Sequence, residues 1–387
     1  MKIGIDARMY RSGVAGIGRY SQNLIKNLLE INQKDEFILF MTSDDYRELK
    51  NPKSLPRRQA GKLQMTNKNS NVKIKITNIP HYSLAEQLTL PKIIEKENLD
   101  LMHFLNFNCP VRYGGKFVVT IHDLTLLFYP ETARDTNIYK KLGFKYVMKK
   151  ACRNAAKIIA VSENTKKDII DKFQIPKSKI QTIYEAADDK IFGRVSSESL
   201  KSLREKYKIN QPLILYVGQF RAHKNLIGLL KAFEILRSNF PCQLAILGKR
   251  DLNHQLKTIL DKADYKDDIV MPGFVEDTEL AQWYKIASVF VLPSFYEGFG
   301  LPGLEAMMVG TPVAASNQAS LPEIYQDGAW YFDPFDTADI AGRIKEVLKD
   351  EKLRKNLIEK GKIIARSYSW RKTAEQTLDL YKQIQKS

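Results

Sequence analysis

At 387 residues the chain has room for two domains of ordinary size, each with its own core. Its composition, 44% hydrophobic and 27% charged, is that of a globular protein; no apolar run of about 18 residues and no signal-peptide start stands in it, which points to the cytoplasm. The net charge of +17 asks for an acidic partner: nucleic acid, anionic lipid or a phosphorylated substrate.

In chain order, Lys2 to Asp6 reads as a buried strand, followed by a loop from Arg11 that carries Gly16 and Gly18, then a helix from about Arg19 to Ile31. A strand, glycine loop and helix start let a backbone approach a ligand closely. The full Gly-x-Gly-x-x-Gly fingerprint and its ribose carboxylate are missing, so a nicotinamide site is not indicated. After a strand at Phe37 to Met41 comes a stretch without any acid, Leu49 to Ala85, holding Lys50, Lys53, Arg57, Arg58, Lys62, Lys68, Lys73 and Lys75. It reads as a basic loop leading into a strand at Val72 to Ile76, either merely solvated or in contact with an anionic acceptor or membrane surface.

Leu84 to Lys96 reads as one helix, and Leu99 to Leu105 and Lys116 to Ile121 as strands, the last apolar enough to be parallel and buried. His122 follows at the carboxyl end of that strand, where open α/β sheets bind ligands, and the neighbouring Asp123 would raise its pKa. His103, one strand earlier, reads as a satisfied core histidine. A helix from about Ala133 to Asn154 mixes bases with aromatics, so it offers either a solvated basic face or a membrane-interface face. A strand at Lys157 to Val161 leads to Ser162, which caps the next helix, and Ile180 to Tyr184 closes this half. The three cysteines, Cys109, Cys152 and Cys242, suggest neither a disulfide framework nor a metal site and read as buried small apolar groups.

The pattern loosens from about Asp188 to Gln211, where the domain boundary is placed. Strands at Leu213 to Val217, Leu244 to Leu247, Asp268 to Met271, Ser288 to Leu292 and Val313 to Ala315 then alternate with helices. Three more helices close the chain. The organisation expected is a domain over 1–190, a linker over 191–211, a second domain over 212–366 and a final helix over 367–387 that packs back toward the first domain. The fold class is α/β, two Rossmann-like, doubly wound domains facing each other across a ligand cleft.

The densest stretch runs from Ser294 to Pro312. It passes from a strand through glycines into a short helix, whose first amides lack intrahelical partners and attract a phosphate. Glu297 and Glu305 bracket it with seven residues between them, about 12 Å apart if they shared one helix. A carboxylate accepting two hydrogen bonds suits a vicinal diol.

This stretch resembles the Glu-x7-Glu signature of retaining glycosyltransferases of family 4, which have the two-domain B-type (GT-B) architecture. Further pieces in the family's order are Ile5 to Arg8 with Gly16 to Tyr20, Thr120 to Leu124, Ala160 to Ser162, Val217-Gly218 through Lys224-Asn225, and Ser316-Asn317 through Glu323. The resemblance covers essentially the whole chain and is nearest to mannosyltransferases that build bacterial surface polysaccharides. It implies transfer of a hexose, mannose first, from a nucleotide sugar to a saccharide or polyprenyl-diphosphate-linked acceptor. GDP-mannose is the first donor choice and a UDP-hexose the next.

By the same resemblance Glu305 takes the ribose hydroxyls and Glu297 lies by the donor hexose. The amides near Phe299, Gly300 and Leu301 face hexose and diphosphate, Lys224 neutralises the diphosphate, and Phe274 and Val275 contact the base. Gly16 and Gly18 join the donor site from the first half, while Asp123 and Ser162 stand near the acceptor or sugar. The family's second cation, an Arg directly after the glycine, is Gln219 here; Arg221 is the nearby candidate to replace it. No Asp-x-Asp triplet is present, so no metal cofactor is expected. His122 and Glu297 are the catalytic candidates, in a same-face displacement in which the leaving diphosphate accepts the acceptor's proton. The competing readings are a nucleotide-sugar epimerase on the same architecture and a basic nucleic-acid-binding protein. The latter would explain the charge but not the glycine turns, and nucleic acid is not expected as a partner. The expected location is cytoplasmic, peripheral on the inner face of the membrane.

Overall fold

The computed structural model describes residues 1–10, 15–50, 71–132, 138–187, 193, 195–248 and 254–386. Of the basic stretch, residues 51–70 lie outside the described residues, as do residues 11–14, where the glycine loop expected before the first helix begins.

The chain divides into two compact units, one of residues 1–185 with 370–387, the other of residues 186–369. In the first, seven parallel strands run β1 Lys2–Asp6, β2 Glu36–Met41, β3 Val72–Ile76, β4 Leu101–Phe104, β5 Phe117–Ile121, β6 Lys157–Ala160 and β7 Ile180–Thr182. Their order across the sheet is β3-β2-β1-β4-β5-β6-β7. In the second, six parallel strands run β8 Leu213–Val217, β9 Gln243–Leu247, β10 Ile269–Gly273, β11 Val289–Leu292, β12 Val313–Ser316 and β13 Ala329–Phe332, ordered β10-β9-β8-β11-β12-β13. Both sheets are doubly wound: the first strand lies inside and the order reverses beside it. The crevices at the carboxyl ends of β1 and β4, and of β8 and β11, are therefore the places where this fold admits a ligand. The central strands are buried on both faces, as sheets covered by helices on both sides require.

Several elements differ from the sequence reading, each for a local reason. The first helix spans Ala15–Ile31, so Gly16 and Gly18 lie in its first turn rather than in a loop; Tyr20, Leu24 and Leu28, at four-residue spacing, bury its face. The single helix expected over 84–96 is two, Leu84–Leu88 and Leu90–Glu95. Pro91 has no N–H for the carbonyl four residues back and breaks the run at Thr89. The stretch 191–211 expected as a linker carries a helix, Ser197–Lys206, which belongs to the second unit. Ser196 caps it, Leu203 is buried, Arg204 Nη2 donates to the Ile286 carbonyl at 3.0 Å, and the Tyr207 ring meets Trp283 at 5.0 Å. Lys73 and Lys75 are engaged on β3, Nζ to Glu36 at 2.6 Å and to Glu97 at 2.9 Å, so two of the eight bases in the acid-free stretch already have carboxylate partners.

The final helix, Trp370–Lys386, returns to the first unit. Thr373 Oγ1 donates to the Tyr184 carbonyl at 2.7 Å, and Tyr381 OH bonds His103 Nδ1 at 2.5 Å. His103 is fully buried and its Nε2 bonds Thr120 Oγ1 at 2.9 Å; burial brings its pKa down to about 3, so it is a neutral core residue. The three cysteines are buried and free. Among the described residues no helix is long and apolar enough to cross a membrane.

Candidate active site

The candidate residues form two constellations, one in each unit. In the second unit the chain leaves β11 at the reversal of the sheet and enters the turn at 293–300. Glu297 lies in this turn and is 8% exposed, while the helix begins only at Leu301. The two glutamates therefore do not share a helix, and the spacing reckoned on that basis does not apply. Gly300, in the left-handed region at φ +89°, breaks the chain away from Glu297 before the helix starts. Its carbonyl accepts a hydrogen bond from the buried Tyr325 hydroxyl.

Glu297 is held from three directions. Lys224 Nζ donates to Oε1 at 2.6 Å and Oε2 at 2.7 Å, Ser294 Oγ donates to Oε1 at 2.6 Å, and Ser320 Oγ donates to the Glu297 carbonyl at 2.9 Å. Burial alone would raise this carboxyl. The Lys224 ammonium, the nearby His223 and the hydrogen bonds outweigh burial and take it below its ordinary value of 4.5, so it is ionised. Lys224 comes from the short turn Ala222–Lys224 after β8, next to β11 in the sheet. The sequence candidates for hexose and diphosphate contact are thus joined at the sheet's switch point.

Glu305, on the helix Leu301–Val309, is 3% exposed and accepts a hydrogen bond from the buried Tyr284 hydroxyl at 3.0 Å. Phe299 is buried with its ring edge-on to Tyr368 at 5.7 Å. Arg221 Nε reaches Gln219 Oε1 at 3.5 Å, so a guanidinium does stand beside the position where the second cation was sought. Phe274 is 62% exposed just beyond β10, and Val275 is half-buried beside it. Among the described residues no three His, Cys, Asp or Glu side chains are grouped to hold a metal ion.

In the first unit His122 leaves the carboxyl end of β5. Its Nδ1 faces Glu185 Oε1 at 2.8 Å and its Nε2 faces the Leu105 carbonyl at 2.9 Å. Both partners are acceptors, which requires a hydrogen on each ring nitrogen, the imidazolium form. Burial by itself would lower the pKa. The Glu185 hydrogen bond and charge, with the Leu105 carbonyl and then Asp123, raise it above the ordinary 6.5. Tyr20 braces the ring edge-on at 4.6 Å. Held this way His122 offers a fixed positive charge and no lone pair, which suits stabilisation of negative charge rather than removal of a proton.

The carboxylate that matters most to His122 is Glu185, 63 residues on, not the adjacent Asp123, whose Oδ1 accepts from the Thr125 amide at 2.8 Å. Ser162 is fully buried, and its hydroxyl is spent on Thr165, whose own hydroxyl reaches the His122 carbonyl at 3.4 Å. Gly16 is exposed in the first helical turn, and a Cβ there would meet open space; Gly18 is buried. Sequence reasoning missed Glu185, Tyr284, Tyr325 and Ser320, which lie far along the chain from their partners. It also missed Ser294, whose Ser-x-x-Glu spacing to Glu297 was a readable local signal.

Two family models match the chain: "Glycosyltransferase Family 4" over residues 14–190 and "Glycosyl transferases group 1" over residues 201–363. O-antigen chain mannosyltransferase B of Escherichia coli is 30% identical over 99% of this chain and 100% of its own length. O-antigen chain mannosyltransferase RfbU of Salmonella typhimurium is 25% identical over 88% and 89%. Among solved structures, a sucrose-phosphate synthase from Thermosynechococcus elongatus superposes with a TM-score of 0.74 at 20% identity, covering 99% of both chains. HepE from Anabaena, in complex with UDP-glucose, gives 0.73 at 16% identity, covering 99% of this chain and 100% of its own. With a full-length relative at 30% identity and both halves matched by glycosyltransferase models, the chain belongs to glycosyltransferase family 4 and has its two-domain GT-B fold.

Proposed function

We propose that this glycosyltransferase moves a hexose, mannose in first place, from a nucleotide sugar to a saccharide or lipid-linked saccharide acceptor during surface polysaccharide synthesis. The observation that carries the donor site is the pair of half-buried Lys224 and buried Glu297, beside the Gly300 turn and the start of the helix Leu301–Val309. It sets a cation and an anion-attracting helix start where a diphosphate has to be held. Mannose is favoured because the full-length relative is an O-antigen mannosyltransferase. That makes GDP-mannose the first donor, with UDP-hexoses next because HepE was solved with UDP-glucose.

In the reaction the bond from the anomeric carbon to the diphosphate oxygen breaks while a bond to the acceptor hydroxyl oxygen forms on the same face. The acceptor's proton passes to the departing diphosphate, and configuration is retained. Lys224, Arg221 and the helix amides carry the growing charge without a metal, Glu305 takes the ribose hydroxyls and Glu297 orients the hexose. His122, with both ring nitrogens occupied, acts as a fixed charge. Thermal-shift screening of GDP-mannose, UDP-glucose and their diphosphates tests the donor. No stabilisation by any of them sinks the reading. Anomeric coupling in the NMR spectrum of the product tests retention, and loss of activity in EDTA restored by manganese would refute metal independence.

The helix Ile138–Asn154 supports peripheral contact with an anionic bilayer. It contains no acid, Leu142 and Tyr146 stand exposed one turn apart, and Lys141, Lys145, Lys149, Lys150 and Arg153 surround them. Flotation with vesicles containing anionic lipid, but not with neutral vesicles, is the expected result.

A further inference from the structure

One feature of the first unit has no part in the donor chemistry. Tyr82 sits at φ +59°, in the left-handed region that a bulky side chain rarely adopts. Half of its surface is nevertheless open to solvent. A buried ionic network holds it there. The Tyr82 amide donates to Glu86 Oε2 at 2.8 Å; Glu86 Oε1 accepts from Arg8 Nη2 at 2.7 Å and from Asn108 Nδ2 at 2.9 Å. Arg8 in turn grips Asp6 with Nε at 2.8 Å and Nη2 at 2.7 Å. Asp6, Arg8 and Glu86 are all buried. This accounts for the Asp6-Ala7-Arg8 motif, to which the donor site assigns no task. The ring itself is steadied by Phe144, edge-on at 5.3 Å, and Phe107 at 5.9 Å, and its hydroxyl accepts from Asn106 Nδ2 at 3.3 Å.

The location matters as much as the strain. Asp6 ends β1 and Arg8 follows it, Asn106 and Asn108 follow β4, and Asp123 follows β5, so Tyr82 is pinned over the switch point of the first sheet. Leu105, whose carbonyl holds His122 Nε2, is the residue before Asn106. Asp123 is near enough for its charge to bear on the Tyr82 hydroxyl.

We propose that Tyr82, with Asn106 and Asp123 beside it, forms a subsite on which a sugar ring of the acceptor saccharide packs. This rests on the hexosyl-transfer reading and names the acceptor's place within it. An open tyrosine ring gives a rigid apolar platform for the C–H face of a pyranose at little entropic cost, and a phenol for its edge. A carboxylate with one bond spent, on the Thr125 amide, keeps acceptor capacity for sugar hydroxyls. Backbone strain held in place by a surrounding network is characteristic of ligand clamps. A residue needed only for packing could adopt this backbone more easily as glycine or asparagine.

The test uses the full chain and four probes: methyl α-D-mannopyranoside, α-1,2-mannobiose, α-1,3-mannobiose and N-acetylglucosamine. Binding is read by saturation-transfer NMR and calorimetry, without donor chemistry. GDP and UDP affinities are measured in parallel on every variant. Wild-type protein is expected to bind at least one sugar; Tyr82→Ala should weaken it about tenfold or more and Tyr82→Phe by no more than about threefold, with nucleotide affinity unchanged. Asp123→Asn, which keeps the Thr125 cap, should weaken sugar binding about fivefold and stands as the arbiter if Tyr82→Ala does not fold. The subsite is overturned if no probe binds wild type, or if a folded Tyr82→Ala, or failing that Asp123→Asn, binds sugar as wild type does. Failure of GDP and UDP to bind any form, with sugar binding intact, would instead sink the donor assignment and leave this subsite standing.

Discussion

Lys224 and Glu297 form a closed pair in the second unit, the ammonium donating to both carboxylate oxygens, with side chains only 20% and 9% exposed. The residue meant for the diphosphate and the one meant for the hexose are therefore each other's partner before any donor arrives. On the proposed donor reading, a nucleotide sugar would insert its charge into an existing ion pair.

Lys224→Ala should accordingly damage both stability and binding. It leaves a buried carboxylate without its cation, which costs about 3–5 kcal/mol. In the wild type the Glu297 pKa lies below 4.5, so the pair's stabilisation is present above pH 4.5 and is lost as pH falls through the lower folded value. The variant has no such term, so its deficit in urea denaturation should stay at full size from neutral pH down to about pH 4.5 and shrink only below it. A deficit independent of pH would show that the pair does not act electrostatically. Affinity for GDP or UDP should fall at least tenfold, about 1.4 kcal/mol or more.

The His122–Glu185 pair responds with the opposite sign. The His122 pKa is raised in the folded chain, so its contribution is complete below the ordinary 6.5 and fades as pH rises through the higher folded value. Glu185→Gln removes the main raising influence. The imidazole resonance of His122 should then titrate at lower pH than in wild type, and turnover should lose its activity at a correspondingly lower pH while donor affinity changes little. An unmoved His122 titration would refute the pairing; an unmoved rate profile would remove the charged ring from the chemistry.

Local pattern carried most of the fold and the ends of the site, but not the middle. The strands β5, β8 and β11 were readable because buried parallel strands are short runs of almost entirely apolar residues, and β1 because Ile3 and Ile5 alternate just before a glycine-bearing stretch. The glycine turn before Leu301 was readable because only Gly tolerates the left-handed backbone there easily. The β13 strand and the helix Ser197–Lys206 were not, since the first is only four residues long with its middle two half-buried and the second relies on Trp283 and Ile286 for its packing. Glu185, Tyr284 and Tyr325 act on partners 63, 21 and 25 residues away. Such pairings are set by the winding of the sheet, and no spacing in the chain announces them.

Gly303 tests how tightly the turn is braced. A Cβ at this position would stand 2.3 Å from both the hydroxyl oxygen and Cζ of Tyr325, whose ring is fully buried and cannot step aside. Gly303→Ala should destabilise the protein by about 1–3 kcal/mol. In a Tyr325→Leu background the added methyl has room, so the same substitution should cost far less, a coupling of about 1 kcal/mol or more in a double-mutant cycle. Equal costs in the two backgrounds would mean that the phenol does not shape the turn.

The Tyr284–Glu305 bond gives the sharpest test of the nucleoside end. If Glu305 takes the ribose diol, wild-type protein should prefer GDP or UDP over the 2′,3′-dideoxy forms by at least about tenfold, because a buried carboxylate denied its donors costs about 1.5–3 kcal/mol. Glu305→Ala should bind ribo and dideoxy forms alike. Tyr284→Phe removes only the hydroxyl that fixes Oε2 at 3.0 Å, so it should keep part of the preference, with a smaller ratio than wild type. Calorimetry on the three proteins with the four nucleotides reads this directly. Equal affinity of wild type for the ribo and dideoxy forms would detach Glu305 from the ribose. A Tyr284→Phe ratio equal to wild type would show that the tyrosine fills space beside the carboxylate without positioning it.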